Sequence, residues 1–94
     1  MFRKKVRSLD DGDSGRFSDG KMFRLVGVRC PESYQFGGST AKRTLAGMIA
    51  RDNGLVNAKK VGTDAYGRDL MMLSNQDGSI NRRMLAKGYK NKGR

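Results

Sequence analysis

An arginine placed inside an apolar strand constrains this chain more than any other feature. The stretch Phe23-Arg24-Leu25-Val26-Gly27-Val28-Arg29-Cys30-Pro31-Glu32 reads as a strand stopped by a proline with a carboxylate directly behind it. Alternation over Phe23 to Val28 places Phe23, Leu25 and Gly27 on one face and Arg24, Val26 and Val28 on the other. A guanidinium on an otherwise apolar face needs an anionic partner. Pro31 lacks a ladder donor and biases Cys30 away from helix, so the strand is expected to end there with Glu32 at its rim. Arg24 and Glu32 are then expected to meet at one mouth, either as a structural ion pair or as part of a site.

A chain of 94 residues fits one domain, which at this size buries only about two-thirds of its unfolded surface. One small barrel or bundle is the ceiling. Mean hydropathy is −0.71, yet apolar periodicity runs from Met22 to Leu85, so the chain reads as folded. Twenty Lys and Arg against 9 Asp and Glu give a net charge of +11, and a polyanion is the natural partner. Nucleic acid is favoured over a membrane, because no segment pairs a basic face with a long apolar one and no apolar run is long enough to span a bilayer. The single Cys30 excludes an internal disulfide, and the absence of His removes histidine bases and histidine metal ligands. The basic start Met1-Phe-Arg-Lys-Lys is followed by no apolar h-region, so a cytoplasmic location is expected.

Along the chain, Phe2 to Leu9 alternates weakly and suits an edge or curved first strand. Asp10-Asp-Gly-Asp-Ser-Gly15 reads as a turn, and its three carboxylates need a cation or a cationic side chain to offset them. Calcium is one candidate. Ser14 to Phe17 is a short second strand, and Asp19-Gly20 is a hairpin signal leading to the strand from Met22. Ala41, Leu45, Met48 and Ile49 share one helical face, with Ser39 or Thr40 as cap and Asn53-Gly54 as stop. Leu55 to Val61 and Arg68 to Leu73 read as fourth and fifth strands around the loop Gly62 to Gly67. Ser79 to Lys87 makes a second helix with Ile80, Met84 and Leu85 on one face, and residues 89–94 form a basic tail. Mainly β with two helices, five strands in a three-plus-two order and a helix between the third and fourth, is the element order of an OB-fold barrel.

Several short motifs in sequence order resemble the staphylococcal nuclease-like (thermonuclease) family, whose fold is an OB barrel. Asp11-Gly12-Asp13-Ser14 looks like its Asp-Gly-Asp-Thr turn, and Phe23-Arg24-Leu25 through Pro31-Glu32 like its arginine strand ending in Pro-Glu. Gly38 to Leu45 looks like its first helix, Asp64-Ala-Tyr-Gly-Arg68 like its Asp-x-Tyr-Gly-Arg turn, and Lys87-Gly-Tyr89 like the end of its second helix. The resemblance implies a nuclease hydrolysing DNA or RNA phosphodiesters with little sequence preference. Glu32 would be the general base, and Arg24 and Arg68 would stabilise the charge that develops on the phosphate. It further implies Asp13 and the Cys30 carbonyl as ligands of a calcium ion, and Tyr66 packing against the substrate nucleotide.

Three departures qualify that mapping. Arg29 stands where the family has its second metal carboxylate, which brings a cation to the place expected to bind one. Ala65 replaces a basic residue, and the sequence stops at Arg94, before the later aromatic wall and C-terminal helix of the best-known nuclease. Two further classes therefore stay open: a non-catalytic OB module holding single strands through charge and aromatics, with Arg29 on the ligand or displacing the metal, and a protein-interaction module. A monomer is expected, or a dimer if the open barrel face is covered.

Overall fold

The computed structural model describes residues 2–51 and 53–90. Strands β1 (Phe2–Asp11), β2 (Ser14–Phe17) and β3 (Met22–Leu25) form a meander, followed by α1 (Gly38–Ala50), β4 (Leu55–Thr63), β5 (Asp69–Asn75), a two-residue β6 (Gly78–Ser79) and α2 (Ile80–Ala86). β1 pairs with both β2 and β4, β4 with β5, and β5 runs parallel to β3, so five strands close into a ring. This is the OB-type barrel expected from the element order.

β1 belongs to two neighbours in succession. Phe2 to Lys5 pair with β4, whereas Val6 to Asp11 pair with β2, with register shifts between Val6 and Ser8 and between Leu9 and Asp11. Such irregularities bend a strand sharply enough to close a small barrel. β1 is therefore the curved strand of the two alternatives, and it has no free edge. It also runs on to Asp11, so the expected six-residue acidic turn shrinks to a tight connection at Gly12 and Asp13.

The central strand is shorter than its apolar run suggests. β3 ends at Leu25, because Gly27 adopts a left-handed φ of 77° and turns the chain out of the sheet. The turn resets the alternation: Val28 is fully buried beside Phe23 and Leu25, and does not share a face with Arg24. Val28 then bridges Lys90, and the Arg29 N–H donates to the Tyr89 carbonyl, which ties down the start of the expected basic tail. Residues 91–94 of that tail lie outside the described residues.

Inside the ring, Phe17 and Phe23 stack with centroids 4.5 Å apart, and Leu25, Val56 and Leu73 pack with them. Ala41, Leu45, Met48 and Ile49 of α1 and Ile80 and Met84 of α2 complete this core, as the helical spacing requires. Each fully buried aliphatic or aromatic side chain contributes about 1.5–3 kcal/mol. α1 begins at Gly38, at least two residues earlier than a Ser39 or Thr40 cap implies, and without a hydroxyl cap: Gly37, with φ 83°, precedes it and its carbonyl accepts the Ala41 N–H. It stops where expected, with Asn53 and Gly54 both at positive φ and the Gly54 N–H donating to Ile49. Ser79 caps α2 through the Arg82 N–H.

One polar side chain locks the closure. Buried Asn81 accepts the Leu73 N–H at 2.9 Å and donates to the carbonyls of Val26 at 3.0 Å and Met71 at 3.1 Å. It joins α2 to β5 and to the turn that follows β3. Asn81→Leu keeps the branched shape but removes the side-chain partner of the Leu73 N–H and the Val26 carbonyl, while the Met71 carbonyl keeps the Val26 N–H, and an unsatisfied buried group costs about 1–3 kcal/mol. Denaturant unfolding should show a loss of about 2 kcal/mol or more; a change near zero would mean these bonds do not hold the barrel closed.

Candidate active site

The short β1–β2 connection, the segment after β3 and the β4–β5 loop converge on a cleft of about 570 Å³. Arg24, Glu32 and Arg68 line it, together with Asp13, Arg29, Cys30 and Tyr66. All seven residues singled out in the sequence thus border one cavity, although they span 56 positions of chain from Asp13 to Arg68 and beyond any single motif. Asp11, Tyr34 and Gln35 complete its walls.

Asp13 organises one side. Its Oδ2 lies 3.0 Å from Arg24 Nη1 and accepts the Cys30 N–H at 3.0 Å, with both side chains largely buried. The anionic partner of Arg24 is therefore Asp13, not Glu32 as the strand reading suggested. Charge-assisted contacts of this kind aim a guanidinium as well as compensating it. Asp11 Oδ1 accepts the Ser33 N–H at 2.8 Å, so the second carboxylate of the turn fastens the loop behind Pro31. Arg29 makes no ion pair among the described residues; the cationic side chain that offsets the acidic turn is Arg24, through Asp13.

Glu32 is held from its backbone and left exposed. Its N–H donates to Gln35 Oε1 at 2.8 Å, and its carbonyl accepts the Gln35 N–H at 2.8 Å. Gly38 packs so closely that an added Cβ would fall 1.8 Å from the Glu32 carbonyl oxygen, so no side chain fits there. The neighbouring Tyr34 phenol has its pKa raised by a hydrogen bond to the Glu32 carboxylate and by that carboxylate's charge.

Arg68 is anchored by its own loop. Arg68 Nε donates to Asp64 Oδ2 at 2.7 Å, while Asp64 Oδ1 accepts the N–H groups of Tyr66 and Arg68, both at 2.9 Å. Partial burial works against the charged form of Asp64, but these bonds from Arg68 and Tyr66 outweigh it and lower its pKa. The Arg68 guanidinium sits 5.6 Å from the Tyr66 ring centroid, a cation–π distance. Its Nη groups have no partner among the described residues. Tyr34 and Tyr66 are 82% and 81% exposed on the rim. Asp64 opens the Asp-x-Tyr-Gly-Arg turn, and its Asx-type spacing to Tyr66 and Arg68 is a sequence signal for this clamp; Gln35 and Gly38 carry no such signal.

Residues 22–92 match the family model of the staphylococcal nuclease homologue. The chain belongs to that family. The match runs from β3 through α2 and takes in Arg24, Glu32 and Arg68, while Asp11 and Asp13 precede its start. Among curated proteins, no sequence matches the chain. A staphylococcal nuclease homologue domain fits a nuclease or a nucleic-acid-binding module. No helix among the described residues is long and apolar enough to cross a membrane.

Family members typically use calcium, and the donor set here does not fit that ion. Calcium takes about 6–8 oxygen ligands, but Asp13 Oδ2 is committed to Arg24 and the Cys30 N–H, and Asp11 Oδ1 to Ser33. Arg29 adds a guanidinium to the same wall, and no cluster of three acidic, His or Cys groups suited to a metal occurs among the described residues.

Cys30 presents its backbone to this network while its thiol is buried. Burial first, then the nearby Asp13 charge, push the thiol pKa up to about 12. A raised acid pKa contributes stability that is fully present below the unfolded-state value near 8.5 and is lost as pH rises toward 12. The native protein should therefore resist thiol reagents at neutral to mildly alkaline pH and react at one site once unfolded. Rapid labelling of the native thiol would contradict the burial.

Proposed function

We propose that this staphylococcal nuclease homologue hydrolyses phosphodiester bonds of DNA or RNA, with Glu32 as general base and Arg24 and Arg68 as the charge clamp. The observation that supports this best is the pair of separately anchored arginines, on β3 and on the β4–β5 loop, facing one cleft with an exposed carboxylate. Glu32 takes a proton from water as the water oxygen bonds to phosphorus. The P–O bond on the opposite side breaks, its electron pair leaves with the departing oxygen, and that oxygen takes a proton from solvent water while Glu32 later returns its own to solvent. Charge on the non-bridging oxygens grows during this step, and fixed guanidinium N–H groups stabilise it more in the transition state than in the ground state. Asp13 and Asp64 hold the two arginines in place beforehand, so little reorganisation is needed. Tyr66, and Tyr34 across the rim, offer ring faces to the bases beside the scissile phosphate, which tolerates any base and suits single strands.

Arg29 is given a substrate-side role. It lines the cleft without a carboxylate partner, so it can contact a phosphate oxygen where other members of the family place a metal ligand. The same feature supports the alternative reading, a module that binds nucleic acid without cutting it. Cleavage assays on single- and double-stranded DNA and RNA separate the two.

Loss of a positioned base removes about 10²-fold or more in rate. Glu32→Gln should lower kcat by at least that factor while leaving oligonucleotide affinity and thermal stability near those of the parent. Unchanged cleavage by Glu32→Gln would assign the base elsewhere.

Because the donor set is a poor match for calcium, cleavage should persist in chelator. Arg29→Asp should instead introduce measurable calcium binding by calorimetry. Tight calcium binding by the parent, with cleavage strictly dependent on it, would refute the role given to Arg29.

A further inference from the structure

The candidate active site is balanced in charge: three arginines face Asp11, Asp13 and Glu32. It therefore cannot be the main source of electrostatic attraction for a polyanion, despite the net charge of +11. That charge concentrates elsewhere. At one end of the barrel, Arg3, Lys4, Lys5, Lys21, Lys59 and Lys60 rim a cleft of about 830 Å³ whose floor includes buried Ala58 and Met71.

None of the residues lining it belongs to α1. The helix touches the far ends of the strands, where Gly12 follows β1 and Asn75 donates to the Met48 carbonyl at 2.8 Å. The basic cleft instead takes the starts of β1, β3 and β5. Only Asp19 and Asp69 oppose the six cations there, and each is already paired, Asp19 with Lys4 at 2.6 Å and Asp69 with Lys60 at 3.1 Å. The Lys4 contact, with help from the Lys21 N–H, lowers the Asp19 pKa. Lys5, Lys21 and Lys59 make no ion pair among the described residues. Three uncompensated ammonium groups converging on one concavity repel each other unless an anion lies between them.

The two clefts adjoin. Lys21 immediately precedes β3, which carries Arg24 three residues on, about 10 Å along an extended strand. Arg68 lines one cleft and its neighbour Asp69 the other.

We propose that the open barrel mouth is a second phosphate-binding surface, on which Lys5, Lys21 and Lys59 hold the backbone of a single nucleic-acid strand that continues from the candidate active site. The assignment rests on the nucleic-acid reading above but not on catalysis. The mouth supplies affinity and salt dependence, and the balanced cleft supplies chemistry. A long strand engages both, whereas a dinucleotide reaches only the cleft.

The test compares Glu32→Gln, which prevents degradation of the probe, with the same protein carrying Lys5→Gln, Lys21→Gln and Lys59→Gln. Binding of an oligothymidylate of about 16 nucleotides, the upper end of the site size of an OB fold, is titrated across salt concentrations. Each lost phosphate contact removes about 0.7 from the log–log slope on single strands, so the slope should flatten by about 2 while dinucleotide affinity stays unchanged. On the parent chain, lysine acetylation read by mass spectrometry should show Lys5, Lys21 and Lys59 protected by the long oligonucleotide and not by the dinucleotide, with Lys42 on α1 as the unprotected control. This second measurement needs no folded variant. An unchanged slope, or equal acetylation with and without the oligonucleotide, overturns the assignment even if the enzyme cleaves. A flattened slope in a protein that cuts nothing supports the assignment and removes the catalytic reading instead. Binding of phosphatidylserine vesicles through the three lysines, with no oligonucleotide binding, also overturns it.

Discussion

The Asp13 carboxylate is the contact on which the arrangement of this domain depends. One oxygen holds the Arg24 guanidinium and the Cys30 N–H together, and so joins the β1–β2 connection, β3 and the segment that carries Glu32. A carboxylate so little exposed is costly unless it is both paired and hydrogen-bonded. Here the compensation also solves a positional problem. Arg24 must leave the sheet surface at a fixed angle, and the chain past Gly27 must return near it to present Glu32.

Closure of the barrel supplies the second requirement. β3 and β5 pair in parallel with Arg24 opposite Leu70, two residues after Arg68, so the two arginines come from different connections yet border one cavity. Asn81 secures this junction from α2. The fold thus separates two duties. Core packing and Asn81 hold the strands in register, while acidic residues of the loops hold individual cations at the surface.

That separation extends to electrostatics. In the candidate site, Arg24 pairs with Asp13 and Arg68 with Asp64, and the charged side chains that line the cleft balance. Excess positive charge lies at the other cleft, where six cations meet two aspartates that are already paired.

Much of this was legible in the residues alone. Alternating strands, the helical spacing of Ala41, Leu45, Met48 and Ile49, and the Asn53-Gly54 stop each follow from local periodicity and backbone preference, and the order of elements points to the barrel. The motifs around Asp13, Arg24, Glu32 and Arg68 identified the members of the candidate site, because each motif is a short local structure with its own turn chemistry. Which partner each charge takes was decided only by the tertiary structure. Arg24 has Asp13 and Glu32 at comparable distances in the sequence, and the turn at Gly27, which ends β3 early and buries Val28, settles the choice in favour of Asp13. Asp11 turns to Ser33, Arg29 is left unpaired among the described residues, and six scattered basic residues of β1, β4 and the β2–β3 hairpin meet at one rim. Local sequence specifies backbone conformation over a few residues, whereas ion pairing is set by distances that exist only once the sheet has closed.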